Sequence, residues 1–531
     1  MDKLKEGLKL KIVTNEQMKM LDQRTIEEYD IPGLLLMEHA SLALAQEVLS
    51  VNRENQVNGF VVCCGPGNNG GDGLALARHL LRNNLKTDVF LVSDPENLKG
   101  ESRQNYQMLA RQTTDIFHLS DREEKNVQVY MQMFEERLKE GTVVIDAIFG
   151  TGLDRDVEGL FLKVIERINQ SPCTVVSVDI PSGVQGNTGK ILANAVKADK
   201  TISFQLPKIG NLLYPGAALN GELIVVDIGI PAALRDGTDF AARKTDSESV
   251  RKWIRPCEKN DHKGHGGTIL ILAGSRGMTG ASVLAAKAAL RSGAGLVRIA
   301  CEEKLNDLYE QMLPEATTIS YPIDENGHLT HDAEEILKSQ MTGADVIVAG
   351  PGWGKSKGRE AYLSFLLQTS NKPMVLDADA LNILSEHPEW FTQSMSPWIM
   401  TPHPGEMARL TGLTVEEINQ NRLKVTKTFA EKWKATILLK GAGTVIADEN
   451  GEVWINSTGN PGMATGGSGD VLAGMIAALC HRTDSGLKAA AAAAYLHGFS
   501  GDIAAEFMGM TGIIAGDLIE FLPAAIKKVI E

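Results

Sequence analysis

Cysteine is scarce in this sequence, and the few cysteines present form no recognisable metal or redox motif. The 531 residues contain six, at positions 63, 64, 173, 257, 301 and 480. No two are spaced as CxxC, which argues against a zinc ribbon and against a thioredoxin-type site. So low a cysteine content in a long chain is typical of a protein that works in a reduced, cytosolic compartment.

A long apolar run is also missing. A membrane-spanning helix needs about 18 or more consecutive apolar residues, and the sequence contains no such stretch. The segment 1–17 has lysines but lacks the apolar centre of a secretory signal. We therefore expect neither a signal peptide nor a transmembrane helix, and we predict a cytoplasmic protein without a membrane partner.

Basic residues are too few to balance the acidic ones. The sequence has 53 lysines and arginines against 67 aspartates and glutamates, a formal net charge of −14. Nucleic-acid binding requires a cationic surface against the phosphates, so we expect no nucleic-acid partner. Small anionic ligands are not excluded, because a glycine-rich loop or a helix N-terminus binds phosphate locally.

What the sequence does contain is an alternation of short apolar runs with amphipathic stretches. The runs are rich in β-branched residues and bounded by Gly, Pro or Asp, which predicts buried strands. They cover 59–65, 88–93, 142–150, 174–183, 222–229, 267–275, 295–300, 344–352, 372–381, 397–403 and 435–443. Stretches such as 74–84 and 127–140 predict the intervening helices. Strands alternating with helices indicate a parallel sheet with helices on both faces.

A polar, charged segment at 236–252 interrupts this alternation. We place a boundary near residue 245 and predict two α/β domains, at 1–240 and 250–531. Locally, Thr14 followed by Gln17 predicts a capping box at the start of a helix. The alanine run 489–494 predicts a tightly packed helix.

The strand predicted at 59–65 leads into a glycine-rich loop before a helix. Gly65, Gly67 and Gly70 give the spacing GxGxxG, which dinucleotide-binding proteins have at this position. Two adjacent asparagines and Asp72 add side-chain oxygens, which suit ribose hydroxyls or a hard cation. The alternative is a plain glycine-rich turn in which Asp72 caps the helix.

Two more carboxylates lie at the ends of predicted strands. They are Asp146 and Asp179, and Ser182 follows the second of them. The carboxyl ends of the strands form the ligand crevice of an open parallel sheet, so we expect Asn69, Asp146 and Ser182 to converge there. The alternative is that each aspartate only caps the turn after its strand.

These motifs together resemble the YjeF N-terminal domain, the epimerase of hydrated nicotinamide nucleotides, NAD(P)HX. The resemblance covers roughly 10–235 and is carried by VVCCGPGNNGGDGLALARHL, DAIFGTGL, VDIPSG and KADKTISFQLPKIG. It implies a Rossmann-like three-layer α/β/α fold, Asp179 as general acid/base, and K⁺ held by Asn69, Asp146 and Ser182. It also implies nucleotide contacts by Asn68, Asn69, Gly70, Gly71, Asp72, Gly150, Thr151, Gly152, Leu153, Asp154, Arg155, Asp156 and Asp179.

One position departs from the family pattern. His39 in MEHAS stands where the family usually has Asn. We interpret His39 as a packed or rim residue rather than a catalyst.

A second glycine-rich loop lies near the end of the sequence. Gly466, Gly467 and Gly469 precede Asp470 and a predicted helix, whose N-terminus supplies unpaired N–H groups and a positive dipole. Asp470 would then stand beside a transferring phosphoryl group; the alternative is that it only caps the helix. The sequence 350–356 is not a P-loop, because Ala349 stands where that motif requires Gly.

The second half of the sequence resembles the ribokinase-like superfamily and, within it, the ADP- or ATP-dependent NAD(P)HX dehydratase. The resemblance covers about 250–530 and is carried by KGHGG, AGSRGMTGA, GPGWG, DADAL, TPHPGE, LLKGAGT and GNPGMATGGSGDVL. It implies that the hydrated dinucleotide contacts Ala281, Gly352, His403 and Asp470. It implies that the adenine nucleotide, with Mg²⁺, contacts Lys440, Gly441, Ala442, Gly443, Thr444 and Gly469.

Taken together, the two resemblances predict a bifunctional repair enzyme. One domain would epimerise NAD(P)HX, and the other would use ADP to dehydrate the S epimer to NAD(P)H, with Asp470 as base. The family commonly forms homo-oligomers, which we expect here. The alternative is a ribokinase-like kinase of a vitamin-precursor alcohol, with an N-terminal domain that serves only as an interaction module.

Overall fold

The structure is a computed structural model that describes residues 10–55, 57–120, 124–237, 239–256, 258–325, 328–392 and 397–530. It divides into two units between Arg243 and Lys244. Cys257 and most of the segment used to exclude a secretory signal, 1–9, lie outside the described residues. The domain limits 1–240 and 250–531 stay predictions.

A seven-stranded parallel sheet forms the centre of the N-terminal unit. In chain order the strands are β1 Lys11–Ile12, β2 Gly59–Cys64, β3 Thr87–Leu91, β4 Ile116–His118, β5 Thr142–Ala147, β6 Thr174–Val178, β7 Lys200–Phe204, β8 Glu222–Val226 and, at the division between the units, β9 Ala242–Lys244. The sheet order is β4-β3-β2-β5-β6-β7-β8, with all neighbours parallel. β1 and β9 pair antiparallel with each other. The order reverses at β2, and such a reversal creates a ligand crevice outside the carboxyl ends of the strands.

Helices cover both faces of this sheet. They are α1 Asn15–Tyr29, α2 Gly33–Asn55, α3 Asn68–Arg82, α4 Gly100–Leu109, α5 Glu124–Arg137, α6 Gly159–Gln170 and α7 Ala232–Gly237. Side chains alternate along a strand, so Val62 and Cys64 of β2 enter a core with α2 and α3, while Val61 and Cys63 enter a second core with α5 and α6. The predicted three-layer fold is confirmed.

Parallel strands also dominate the C-terminal unit. They are β10 Thr268–Leu272, β11 Leu296–Glu302, β12 Thr317–Tyr321, β13 Val346–Ala349, β14 Met374–Leu376, β15 Trp398–Met400, β16 Thr436–Leu439, β17 Thr444–Ala447 and β18 Val453–Asn456. Within this unit they stand in the order β18-β17-β16-β15-β14-β13-β10-β11-β12. The order reverses at β10, which places a second crevice between the loops after β10 and β13.

The main core of this unit lies between one sheet face and a helical layer. The helices of the unit are α8 Ser247–Trp253, α9 Thr279–Arg291, α10 Asn306–Met312, α11 His331–Thr342, α12 Lys357–Thr369, α13 Asp379–Glu386, α14 Pro404–Thr411, α15 Val415–Gln420, α16 Arg422–Trp433, α17 Ser468–Arg482, α18 Gly486–Met508 and α19 Ala515–Ile530. Ile269 and Ile271 of β10 pack with α9, α17, α18 and α19. Leu270 and Leu272, on the opposite face, are also buried.

Two local predictions are confirmed. Gln17 N donates to Thr14 Oγ1 at 3.1 Å and Thr14 N donates to Gln17 Oε1 at 2.9 Å, which completes the capping box of α1. The alanine run lies in the buried part of α18.

Several strands were not predicted from the sequence. β4 has three half-buried residues, and only the last of the five residues of β12 is buried, so neither forms a continuous apolar run. β7 was also missed. The predicted parallel pairing is confirmed for most strands, but β17 pairs antiparallel with both β16 and β18. In the turn between β17 and β18, Asn450 N donates to Asp448 Oδ1.

One described helix, α2, is long and apolar enough to cross a membrane by length and composition alone. The segment Gly33–Val51 has a mean hydropathy of 1.3 and is 44% buried. Core helices of soluble proteins meet the same criteria, and Leu44 and Val48 of α2 are fully buried in the core of this unit. The segment is therefore weak evidence for a membrane span.

The five cysteines in the described residues are free thiols. Cys63 and Cys64 are completely buried, and burial raises the pKa of both thiols. A buried, protonated thiol is a poor nucleophile. These two cysteines are packing residues.

Candidate active sites

The first glycine-rich loop joins the end of β2 to the start of α3. The N-cap of α3 is Gly67, which has no side chain to occupy the first amide groups. A Cβ on Gly70 would lie 1.9 Å from Gly65 O, and a Cβ on Gly65 would lie 1.9 Å from Ile148 O. Only glycine allows this close approach. Asn68 to Asp72 form the first turn of α3, so Asp72 is not its cap.

Asn69, Asp146 and Ser182 converge as predicted, through the backbone of Phe149. Asn69 Nδ2 donates to Phe149 O at 3.0 Å, and Phe149 N donates to Ser182 Oγ at 2.8 Å. Ser182 Oγ donates to Asp146 Oδ1 at 2.5 Å, and Ser182 N donates to Asp146 Oδ2 at 2.9 Å. Asp146 is the penultimate residue of β5 rather than a residue after it. The result is a buried set of oxygen atoms, the donor type that hard cations prefer.

The Asp146 carboxyl is fully buried. Burial raises its pKa, and hydrogen bonds from Ser182 and Ser177 oppose that shift. An ionised carboxylate here would therefore gain from a bound cation.

The loop after β5 lies against the start of α3. A Cβ on Gly150 would lie 3.2 Å from Asn69 Cβ. Thr151 O accepts a hydrogen bond from Asn15 Nδ2 at 2.6 Å. Leu153 packs into the core with α6, which leaves its backbone for any ligand contact. Gly152 and the following charged residues, Asp154, Arg155 and Asp156, are exposed on this loop.

Asp179 directly follows β6 and has a left-handed backbone, with φ 66°. Non-glycine residues in this region are strained and cluster at functional sites. Asp179 Oδ1 accepts hydrogen bonds from Phe204 N at 3.0 Å and from the ammonium group of Lys208. Lys208 is fully buried and also donates to Phe204 O at 3.1 Å.

Two further carboxylates face this ion pair. Burial, with Asp179 and Asp22 adding negative charge, raises the pKa of Asp72 well above its ordinary value, and Lys208 opposes the shift. Burial also raises the pKa of Asp22 to about 6. Lys208 is thus the counter-charge for several carboxyl groups, and one of these carboxyl groups can be protonated near neutral pH. His39, on α2, is exposed and lies beside Gly229.

In the C-terminal unit, α17 starts at the second glycine-rich loop. Its N-cap is Gly467, with φ 91°, so the first amide groups have no capping side chain in front of them. Asp470 lies in the first turn, as predicted. A Cβ on Gly469 would lie 3.3 Å from Lys440 Nζ and 3.6 Å from Asp377 Oδ2, which places these two groups beside the helix start.

A buried charge network surrounds Lys440. Its Nζ donates to Asp377 Oδ1 at 2.7 Å and lies 3.9 Å from Glu406 Oε2. Burial alone would lower the pKa of Lys440, but the negative charges of Asp377, Glu406 and Asp470 outweigh burial and raise it. Burial, with Asp377 next, raises the pKa of Asp470 to about 6, and Lys440 opposes that shift. Asp470 can therefore accept a proton near neutral pH.

His403 is the N-cap of α14. Its Nδ1 accepts hydrogen bonds from Gly405 N at 3.0 Å and Glu406 N at 3.3 Å, and its Nε2 lies 3.3 Å from Glu406 Oε1. The His403 side chain is 50% exposed. His403 is thus rigidly held, with half of its ring available to a ligand.

Ala281 and Gly352 meet across the second crevice. A Cβ on Gly352 would lie 2.9 Å from Ala281 Cβ, and Gly352 itself has φ 56°. The loop of Gly352 is also tied to the start of α13, because Gly354 N donates to Asp379 Oδ2 at 2.7 Å.

The segment Lys440 to Thr444 links β16 to β17. Gly441 has φ 141° and Gly443 has φ 66°. Thr444 is the first residue of β17, and its Oγ1 donates to Gly441 O at 2.8 Å. Ala442 completes the turn between the two glycines.

Several residues of these sites were not predicted from the sequence. Lys208, Asp377 and Glu406 lie inside motifs that carried the family resemblance, but their charge partners are distant in sequence. The position of Lys208 could have been noticed, because a lysine is unusual within the largely apolar segment 204–213. Asp22 and Arg422 lie in ordinary amphipathic helices and gave no signal.

No group of three or more His, Cys, Asp or Glu could hold a metal ion among the residues that the structure describes. Mg²⁺ commonly binds through one or two carboxylates and the phosphates of a substrate. A Mg²⁺ ion would therefore enter the C-terminal site together with a nucleotide.

Comparison with known proteins gives a family match in each unit. Residues 33–210 match the family described as YjeF-related protein N-terminus, and residues 269–524 match the family described as NAD(P)H-hydrate dehydratase. Two similar relatives are named bifunctional NAD(P)H-hydrate repair enzyme. The one from Moorella thermoacetica is 40% identical over 524 residues, which cover 98% of this chain and 97% of that protein.

The second such relative, from Escherichia coli, is 33% identical over 499 residues, which cover 93% of this chain and 90% of that protein. A solved structure, the ADP/ATP-dependent NAD(P)H-hydrate dehydratase from Bacillus subtilis co-crystallised with ATP and Mg²⁺, is 32% identical. It covers 54% of this chain and 97% of that chain, with a TM-score of 0.47.

Proposed function

This chain belongs to the family of bifunctional NAD(P)H-hydrate repair enzymes, and from that premise we propose how its two sites divide the work. The N-terminal site interconverts the R and S epimers of NAD(P)HX. The C-terminal site dehydrates the S epimer to NAD(P)H at the expense of ADP, giving AMP and phosphate. Asp470 at the uncapped start of α17, beside Lys440 and Asp377, is the observation that carries the proposal.

Asp470 is the base of the dehydration. It takes the proton of the C6 hydroxyl, whose oxygen then attacks the terminal phosphoryl group of ADP. The bond from that phosphoryl group to AMP breaks, and the hydroxyl becomes a phosphate ester. Loss of phosphate from C6 and of a proton from C5 then forms the ring double bond of NAD(P)H. The free amide groups at the start of α17 stabilise the negative charge of the phosphoryl group during its transfer.

The donor nucleotide lies on the segment Lys440 to Thr444, with Gly469 at its phosphates. Lys440 provides positive charge beside the helix start. Mg²⁺, which neutralises the charge of the donor's phosphates, fits a site where the carboxylates of Asp377 and Glu406 lie within 4 Å of Lys440 Nζ. Ala281, Gly352 and His403 line the pocket of the hydrated nicotinamide.

In the N-terminal site, Asp179 moves the proton needed to invert C6. Inversion requires proton transfer at the oxygen or nitrogen attached to that carbon. Lys208 forms an ion pair with Asp179 and fixes the orientation of its carboxylate. Asn68 to Asp72, with Gly150 to Asp156, hold the nucleotide.

K⁺ binds at Asn69, Asp146 and Ser182. The support is that Asn69 Nδ2 and Ser182 Oγ both donate to Phe149 O, while Ser182 Oγ also donates to the buried carboxylate of Asp146. Asn69 lies at the start of α3 and Phe149 in the loop after β5, so a cation held by these residues would stabilise the region where both nucleotide segments meet.

The proposal is tested by recovery of NADH absorbance at 340 nm from mixed-epimer NADHX with Mg²⁺, K⁺ and either ADP or ATP. Complete recovery, faster than spontaneous epimerisation, is expected. Recovery that stops at the S fraction would refute the epimerase role of the N-terminal unit. A stable phosphorylated alcohol instead of NADH would favour the vitamin-precursor kinase.

We also propose a cytoplasmic homo-oligomer that binds neither membranes nor nucleic acid. The support for the assembly is the family resemblance, together with exposed apolar side chains on α1 and α2 such as Met20, Tyr29 and Leu42. Light scattering coupled to gel filtration tests it; a monomer at micromolar concentration would refute it.

A further inference from the structure

Arg422 is a buried cation without a carboxylate partner. Its side chain is 5% exposed, and none of the described acidic residues lies within ion-pair distance of it. Burial lowers the pKa of Arg422 to about 10, so the side chain remains charged at neutral pH. A buried charge without a counter-charge is costly, and such a residue therefore requires a structural or functional reason.

The guanidinium group of Arg422 lies under the segment Lys440 to Thr444. Nη2 donates to Leu439 O at 2.9 Å and to Lys440 O at 3.1 Å, two successive carbonyls at the end of β16. Nη1 donates to Asn419 Oδ1 at 3.3 Å. A Cβ on Gly441 would lie 3.1 Å from Nη2, so the loop closes directly over the guanidinium group.

This contact sets the direction of the next peptide groups. In a trans peptide the N–H points opposite to the C=O. Arg422 draws Lys440 O inward, and the N–H of Gly441 must therefore face away from it. The Lys440 N–H, on the preceding peptide, donates to Pro402 O at 2.9 Å. Both peptides around Lys440 are thereby fixed, which also fixes the direction in which Lys440 leaves the backbone toward Asp377.

We propose that Arg422 is a positioning residue for the donor nucleotide: it holds the segment Lys440 to Thr444 in its binding conformation and places an unpaired positive charge beneath it. The inference rests on the proposed dehydratase function, since it assigns that segment to the adenine nucleotide. Arg422 itself is too deeply buried to touch substrate. Its effect should fall on nucleotide affinity rather than on affinity for the hydrated dinucleotide.

The test compares Arg422→Met and Arg422→Lys with Lys424→Met, which removes an exposed charge from the same helix. We expect Arg422→Met to raise KM for ADP by about 10- to 100-fold, the effect of losing hydrogen bonds from a charged group. KM for S-NADHX should stay within about twofold of wild type, since the hydrogen bonds of the Arg422 guanidinium group go to Asn419, Leu439 and Lys440 and not to Ala281, Gly352 or His403. Arg422→Lys keeps the charge, but a single ammonium group cannot replace both the Nη2 bonds to the two carbonyls and the Nη1 bond to Asn419 Oδ1, so its KM for ADP should lie between those of Arg422→Met and wild type. Lys424→Met should match wild type.

Two outcomes would overturn the role of Arg422. One is a folded Arg422→Met with wild-type KM for ADP, and the other is an equal rise in KM for both substrates. If Arg422→Met does not fold, Arg422→Lys decides, and a wild-type KM for ADP in that variant would overturn the role of the guanidinium group.

A failure of the proposed function would look different. Wild type itself would then recover no NADH with ADP or ATP. Even without turnover, the role of Arg422 in nucleotide binding can be tested by titration calorimetry of ADP with Mg²⁺ into wild type and Arg422→Met, because binding does not require turnover. Equal affinity of the two proteins would overturn the inference.

Discussion

Lys208 and Asp179 form a buried ion pair in which the lysine ammonium donates to Asp179 Oδ1, and Lys208 has no exposed surface. Asp179 lies after β6 and Lys208 lies beyond β7, so the pair joins the ends of two neighbouring strands. Removing either partner of a buried pair leaves the other charge uncompensated. The pair therefore links the proposed catalysis of the N-terminal site to its stability.

Asp179→Asn should slow conversion of the R epimer by about 100-fold or more, because the group that transfers the proton is lost. Dehydration of purified S-NADHX should not change. Both rates are followed at 340 nm. Equal slowing of the two epimers would contradict the division of labour.

Lys208→Met should abolish epimerisation and lower the free energy of unfolding by about 3–5 kcal/mol, since it leaves Asp179 buried and unpaired. Lys197→Met, which removes an exposed lysine from the same unit, is the control and should change neither. Denaturant unfolding measures the first effect and R-epimer turnover the second. A Lys208→Met protein of wild-type stability would contradict the buried-pair argument.

Asp470→Asn should reduce ADP-dependent dehydration by about 10³-fold, within the range found for loss of a general base. Epimerisation should stay intact, which is measured from the approach of the R and S epimers to equilibrium by chromatography. Asp484→Asn, on an exposed carboxylate, serves as the control. ADP-driven turnover near wild type would remove Asp470 from the mechanism.

The pH dependence of dehydration follows from the same group. The pKa of Asp470 is raised to about 6, and only its ionised form can accept the C6 proton. kcat/KM for S-NADHX should therefore be level above pH 7 and fall about tenfold per unit below pH 6. A profile that stays level down to pH 5 would mean that another group is the base.

Asp470 should also lower stability, because a carboxyl whose pKa is raised by folding disfavours the folded state once it is ionised. The penalty is complete well above pH 6, shrinks as the pH falls below 6, and is lost below pH 3.8, where the unfolded state is protonated as well. With allowance for its partial exposure, Asp470→Asn should gain about 1–2 kcal/mol in free energy of unfolding at pH 8. Denaturant unfolding should show most of that gain lost at pH 4.5; an equal gain at both pH values would point to packing instead.

Ser182→Ala should weaken activation of the epimerase by K⁺, because one oxygen donor and the hydrogen bond to Asp146 are lost. The K⁺ concentration for half-maximal R-epimer turnover should rise about tenfold. Ser171→Ala, a serine whose hydroxyl donates only to Ile168 O near the surface, is the control. Wild-type turnover that does not respond to K⁺ would refute the cation site.

Most interior strands, though not β7, and both glycine-rich loops could be predicted because local sequence determines them. Gly65, Gly70 and Gly467 are required by close backbone approach or by positive φ, and no other residue type serves there. Edge strands such as β4 and β12 were missed because partial exposure gives them no continuous apolar run. The antiparallel β17–β18 pair was missed because strands were predicted from their alternation with helices, whereas β16, β17 and β18 follow one another with no helix between them.

The sequence by itself determined the two α/β units, the strand-to-helix position of each glycine-rich loop, and the placement of Asp146, Asp179 and Asp470 at the ends of strands or the start of a helix. Only the tertiary structure decided which charges meet. Strand order joins Lys440 to Asp377 across 63 positions and seats Arg422 beneath the segment that follows β16. Burial, which raises the pKa of Asp470, depends on every element packed around it, and no local segment of sequence contains that information.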